Sequence, residues 1–220
     1  MKKIAILASL AGAIVFNATA GIPTNGNARA ASATEVSAPA KARAYKVDVA
    51  TSDVKWHAKK VTGEHMGNIS LNSGQMLISG NKVTGGTFVI DMSSITCSDI
   101  KDAGYNAKLI GHLKSDDFFS VEKHPTATFK ITNVKPIANA AAGKPNTTVT
   151  GDLTIKGITQ QISFPATVTV KDGVASAVAD VTVDRSKFDV RYGSKSFFDN
   201  LGDKAIYDDF VVSLNVTARQ

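Results

Sequence analysis

The stretch from Ile162 to Val183 constrains the fold most strongly. Ile162, Phe164, Ala166, Val168 and Val170 share one face of an extended chain, and Lys171-Asp172-Gly173 turns it. Ala175, Ala177, Ala179, Val181 and Val183 then line one face of the return. Side chains alternate across a strand, so this pattern predicts a hairpin that is apolar on one side and polar on the other. Extended from Ile158 to Lys171, the first arm alone would reach roughly 40 Å. A strip of that length must be covered.

The flanking sequence repeats the pattern. Tyr45 to Val49 alternates, Thr51-Ser52-Asp53 predicts a turn, and Val54, Trp56 and Ala58 oppose Lys55, His57 and Lys59. Gly63 and Gly67 predict a bend before Ile69 and Leu71, Asn72-Ser73-Gly74 a turn, and Ser79-Gly80-Asn81 another. Val83 to Met92 is the next strand, kinked at Gly85-Gly86. Phe129 to Val134 follows, then a loop at 139–146 and a strand carrying Val149, Gly151, Leu153 and Ile155. Phe210, Val212, Leu214, Val216 and Ala218 alternate to the end. Roughly eight to ten one-sided strands joined by hairpins imply an antiparallel sandwich or barrel. Long strands paired in sequence favour an extended barrel of about eight strands, the size that encloses one small ligand.

One segment breaks the strand pattern. Leu109 and Leu113 share a helical face with Ile110 beside them, and Phe118 and Phe119 follow. Pro125 stops any helix, because the residue before a proline is pushed out of the α region. A short helix near Leu109–Ser115 is therefore expected to cover one end of the barrel.

Residues 1–20 read as a signal peptide: Lys2 and Lys3, an apolar run from Ile4 to Phe16, and small residues at Ala18-Thr19-Ala20. No cysteine stands there for lipid attachment, and the apolar run is short of the roughly 20 residues that span a bilayer. Residues 21–44 read as a disordered Ala-rich tail, and 45–220 as one domain. The formal charge of +6 falls to +2 when Lys2, Lys3, Arg29, Glu35, Lys41 and Arg43 are set aside with the leader and tail. No basic block remains, which argues against nucleic acid as a partner. The expected location is exported, periplasmic or extracellular, with no integral membrane span after processing; a homodimer stays open.

Several stretches, in this order and spacing, resemble the YceI-like polyisoprenoid-binding proteins. They are His112-Leu-Lys-Ser-Asp-Asp-Phe-Phe119, His124-Pro-Thr-Ala-Thr-Phe129 and Gly151-Asp-Leu-Thr-Ile-Lys-Gly-Ile-Thr159, with weaker matches at Ser52–Trp56 and Asp184–Phe188. The resemblance implies a lipocalin-like barrel whose elongated apolar cavity holds an isoprenoid or fatty chain. Two positions depart from the family pattern. Lys59-Lys60 stands where a histidine is common late in the second strand, and Phe188-Asp189 stands where Phe-Gly is usual.

Chemistry beyond binding has little support in the residues. There is no Gly-x-Ser-x-Gly, no nucleotide loop and no H-x-H or H-E-x-x-H among His57, His65, His112 and His124. No catalytic residue, metal ligand or cofactor is assigned, and Cys97, the single cysteine, reads as a structural thiol. Adjacent Asp116 and Asp117 read as turn formers rather than an acid pair. His112 is the polar candidate for a ligand head group, against a competing role tying the helix to the rim; Arg185 is a second. Trp56, Phe88, Phe118, Phe119, Phe129, Phe164 and Phe188 are candidates to line a tunnel, with core packing the competing role for each. The expected function is an exported binding protein for a long-chain amphiphile such as an isoprenoid, an isoprenoid quinone or a fatty acid. A lipid- or quinone-linked enzyme and a ligand-free envelope interaction module are the alternatives.

Overall fold

A computed structural model describes residues 41–220. The expected leader and nearly all of the expected tail lie outside the described residues. Five strands come first: β1 (Arg43–Val47), β2 (Asp53–Lys60), β3 (Gly63–Asn68), β4 (Ser70–Ser79) and β5 (Lys82–Asp91). Helix α1 (Ala103–Lys114) interrupts them. Then come β6 (Thr126–Pro136), β7 (Thr147–Ile155), β8 (Ile158–Lys171), β9 (Val174–Asp184) and β10 (Ile206–Arg219). The sheet order is β1-β4-β5-β6-β7-β8-β9-β10-β2-β3, and β1 also pairs with β10.

That extra pairing closes the sheet. Along β10, Val47 faces Ala218 and Asp53 faces Asn215, so β1 and β2 lie end to end as one line with an excursion at 48–52. Ser52 secures the excursion: its Oγ donates to Asp48 O at 2.7 Å and accepts from Thr217 N–H at 3.1 Å. β3 and β4 also form one line, and Ile69 between them donates its N–H to Val54 O at 3.0 Å. The ten strands are thus an eight-stranded antiparallel barrel with one helix, the expected fold class.

Local chemistry explains the tight connections. The β7–β8 turn holds Lys156 and Gly157 at φ 51° and 75°, and the β8–β9 turn holds Asp172 and Gly173 at φ 50° and 75°. Two successive positive φ angles give the turn whose twist matches antiparallel strands. Asn72-Ser73-Gly74 departs from expectation. The chain does not turn there; β4 continues through it with a register shift between Leu71 and Ser73. Turn-forming residues were absorbed as a bulge, which supplies local twist.

Helix α1 begins well before Leu109. Asp102 caps it, accepting the Tyr105 N–H at 2.8 Å, and the helix runs to Lys114. Its first turns carry few apolar residues because they project from the barrel; Tyr105 is 67% exposed. Ile110 and Leu113 lie against the core. The core itself divides in two. Tyr45, Val47, Met76, Ile78, Val83, Ala175 and Ala218 fill the end away from the helix. A second cluster, including Met92, Ile95, Val121, Ile155 and Phe188, lies towards α1.

Close-approach glycines fix the wall between these clusters. A Cβ at Gly151 would lie 2.5 Å from the Phe129 ring and 2.6 Å from Lys130 O. One of those contacts is backbone, so relief requires the β6–β7 ladder to move. Gly151→Ala is expected to cost about 1–3 kcal/mol, read as a lower urea midpoint at unchanged m-value. An unchanged midpoint would contradict this packing.

Candidate functional site

Two adjoining cavities of about 140 and 180 Å³ occupy the barrel interior. Val54, Ile90, Leu153, Val183 and Val212 line both, forming a shared waist contributed by β2, β5, β7, β9 and β10. No polar atom is exposed in either compartment. Alternation along each strand puts apolar residues inside, and the small side chains Ala166 and Ala177 leave space that larger ones would fill.

Aromatic rings form one wall of the inner compartment. Phe88 and Phe129, paired across β5 and β6, have centroids 6.4 Å apart, and Phe129 and Phe164 5.6 Å apart. Val181, Val212 and Leu214 are among the aliphatic residues completing the lining. Trp56, Phe118, Phe119 and Leu113 line the compartment nearer the helix. Six of the sequence candidates therefore meet in one lumen. Trp56 also donates its indole N–H to Thr96 O at 2.9 Å, which fixes its ring.

The other three candidates sit differently. Phe188 is 1% exposed and packs in the core, contributing nothing to the cavity lining. His112 lines neither compartment. Its Nε2 lies 3.0 Å from Asp117 Oδ2, and its ring meets Tyr192 and Phe118 edge-on at 4.5 and 4.9 Å. This histidine ties the last helical turn to the rim loop. Asp117 and Asp116 have separate partners, since Asp116 accepts from Lys123 at 2.6 Å.

Arg185 contacts the outer compartment but is fully engaged by protein. Its Nε donates to Tyr207 O at 3.2 Å, Nη1 to Val190 O at 3.0 Å and Tyr192 O at 2.8 Å, and Nη2 to Ile206 O at 3.2 Å. Nη2 also stands 3.3 Å from Asp208 Oδ1. That is an ion-pair distance without hydrogen-bond alignment, so Oδ1 is buried with a countercharge and no donor. Burial lowers the guanidinium pKa, while Asp208 and Asp184 oppose that shift. The guanidinium braces the loop after β9 against the start of β10, and its plane covers the Phe118 ring at 5.9 Å. Asp189 supports the same loop by adopting φ 57° at the end of the 185–188 turn. Glycine reaches this left-handed region freely, and Asp is among the few other residues that tolerate it.

A polar cluster lies outside the lumen. His65 Nδ1 is 2.8 Å from Asp99 Oδ2, and Cys97 donates its thiol to Asp99 Oδ1 at 3.2 Å. Burial opposes ionisation of Asp99, yet the Met66 N–H, His65 and Cys97 outweigh it and hold the carboxyl down at about 2. Burial, together with Asp99, pushes the Cys97 thiol up. Sequence spacing did not signal this cluster, because β3 and the segment after β5 meet only in the folded barrel.

Removing the Arg185 brace should be costly. Arg185→Met strands the Asp208 carboxylate and four carbonyls, an expected loss of about 3–5 kcal/mol. Arg185→Lys, with fewer donors, should recover only part of it in urea unfolding. Full stability in the Met variant would remove the brace from the structure's support.

Comparisons with known proteins agree with this geometry. Residues 45–218 match the YceI-like domain. A UPF0312 protein of Ectopseudomonas mendocina is 42% identical over 55 residues, and one of Pseudomonas putida F1 is 43% identical over 56. Those stretches span 26% and 27% of these relatives' lengths, about a quarter of each. Among solved structures, Burkholderia cenocepacia BcnA superposes with TM-score 0.57 at 25% identity, covering 78% of this chain and 99% of that one. A polyisoprenoid binding domain from Saccharophagus degradans superposes with TM-score 0.54 at 15% identity, covering 80% and 97%, a likeness of fold. With the match running through every strand from Tyr45 to Ala218, the chain belongs to the YceI-like domain family.

Proposed function

We propose that this protein is an exported, non-catalytic binding protein that holds one long-chain amphiphile, isoprenoid or fatty, in the barrel lumen for carriage, storage or sequestration. The observation that carries this reading is the pair of adjoining compartments with no polar atom exposed in either. Such a space is a poor site for water, which needs polar partners, and a good one for hydrocarbon.

Size argues for a slender chain. An apolar cavity of roughly 150 Å³ accepts a benzene-sized molecule, and each compartment here is close to that at about 140 and 180 Å³. Burying methylenes contributes about 0.8 kcal/mol each, while association costs some 4–15 kcal/mol. A chain of about six carbons gains about 5 kcal/mol, at the low end of that cost, whereas one of about a dozen gains about 10 kcal/mol and offsets most of its range. The candidate head-group contacts His112 and Arg185 are both engaged by protein, so affinity rests on the chain rather than on a charged clamp. Export is inferred from the basic start, the apolar run and the small residues of the leader. Among the described residues, no helix is long and apolar enough to cross a membrane.

The test is native mass spectrometry of protein secreted by a bacterial host, followed by organic extraction. One intact lipid per chain is expected. Ala177→Phe, which fills the inner compartment, should abolish retention, whereas His112→Ala should retain the same lipid. Loss of lipid in the His112 variant with retention in the Ala177 variant would refute the lumen reading. Conversion of bound lipid into a new product would replace binding with catalysis.

A further inference from the structure

We propose that His65, Cys97 and Asp99 form a binding site for a borderline divalent metal ion of the zinc type, separate from the lumen. Among the described residues, these three side chains are the one group whose imidazole, thiol and carboxylate donors all lie within 4.8 Å of one another. None of them lines either compartment. In a tetrahedral zinc shell with bonds of about 2.0–2.3 Å, neighbouring ligand atoms stand roughly 3.3–3.8 Å apart. Here His65 Nδ1 to Asp99 Oδ2 is 2.8 Å and Cys97 Sγ to Asp99 Oδ1 is 3.2 Å. Small outward movements of these side chains admit an ion between them.

The donor set selects the metal. One sulfur, one imidazole nitrogen and one carboxylate oxygen suit zinc or cobalt, and a thiolate is a poor partner for magnesium or calcium. A thiolate and a carboxylate with neutral imidazole carry a charge equal and opposite to that of a divalent ion. His65 and Asp99 side chains are 30% and 26% exposed, so a fourth position is open to water. Binding releases one proton, from the thiol as its sulfur bonds the metal. The imidazole proton facing Asp99 moves from Nδ1 to Nε2, freeing Nδ1 to ligate.

The backbone holds the donors together. Thr96 N–H donates to Asn68 O at 2.9 Å and Ser98 N–H to Met66 O at 2.8 Å, which lays residues 96–98 along β3. Gly67 makes the approach feasible, because a Cβ there would fall 1.8 Å from Thr96 O. Asn106 Nδ2 donates to Cys97 O and Ile100 O, both at 2.9 Å, and Asp99 Oδ1 accepts the Met66 N–H at 2.8 Å. A site held by strand and strapped segment needs little reorganisation to bind. Thiol catalysis fits this geometry less well: Cys97 faces a carboxylate rather than an imidazole base.

Cobalt titration of the chelator-treated full chain tests the proposal. One equivalent should produce thiolate-to-cobalt charge-transfer absorption, and zinc should displace it. Cys97→Ser should abolish that absorption and His65→Ala weaken cobalt binding at least tenfold, while His57→Ala binds like the parent. Circular dichroism checks that each variant keeps its sheet. No charge-transfer absorption in the parent, or parental affinity in His65→Ala, would overturn the site. X-ray absorption of the zinc-loaded parent needs no variant. One sulfur among nitrogen and oxygen ligands is expected, and a shell without sulfur would refute the proposal.

Discussion

Closure through β10 is the constraint on which the rest of the structure depends. Its Ile206–Arg219 backbone pairs with β9 on one side and with β2 and then β1 on the other. Once the ring is closed, every strand but β3 has two strand neighbours, residues 96–98 bond the other edge of β3, and the apolar faces have no partner but each other. Eight strands enclose more space than alanines and valines fill, so the interior divides into a packed end and a hollow remainder. The lumen follows from the ring and from the small side chains inside it.

Polar chemistry is confined to the ends and the outer wall, where it seals and braces. The guanidinium of Arg185 borders the outer compartment with its donors spent on carbonyls of the 190–207 segment and its charge beside Asp208. His112 similarly joins α1 to Tyr192 through a ring contact at 4.5 Å. The result is an end of the barrel braced from within the protein, where Leu113, Phe118 and Phe119 face the outer compartment.

Much of this was legible in the sequence, because period-two patterning survives into the barrel unchanged. The stretch from Ile162 to Val183 forms two strands joined by the expected turn and paired from Thr167–Val178 to Lys171–Val174, and six of the nine site candidates meet in the lumen. Where the reading departed, tertiary packing had decided the matter. Asn72-Ser73-Gly74 has turn composition, yet pairing with β5 carries β4 through it as a bulge. The start of α1 carries almost no apolar signal because it faces water, and its one cue was Asp102 as a cap. Phe188 and Phe164 are indistinguishable by type, and only the topology sends one into the core and the other into the wall. Arg185 stood out as a head-group contact because it lies in the family-like stretch Asp184–Phe188 and carries a charge. Its carbonyl partners lie five to 22 residues further along the chain in irregular backbone and at the start of β10, where no local pattern reveals them.

The measurement that bears most directly on an occupied lumen is a crystal structure of the protein purified without organic solvent from an exporting host. An enclosed apolar ligand site predicts continuous tubular density running from the Phe88, Phe129 and Phe164 wall past the Val54–Val212 waist towards Phe119. A lumen collapsed onto itself, with Phe129 and Leu214 in contact across the axis and no density between them, would contradict it.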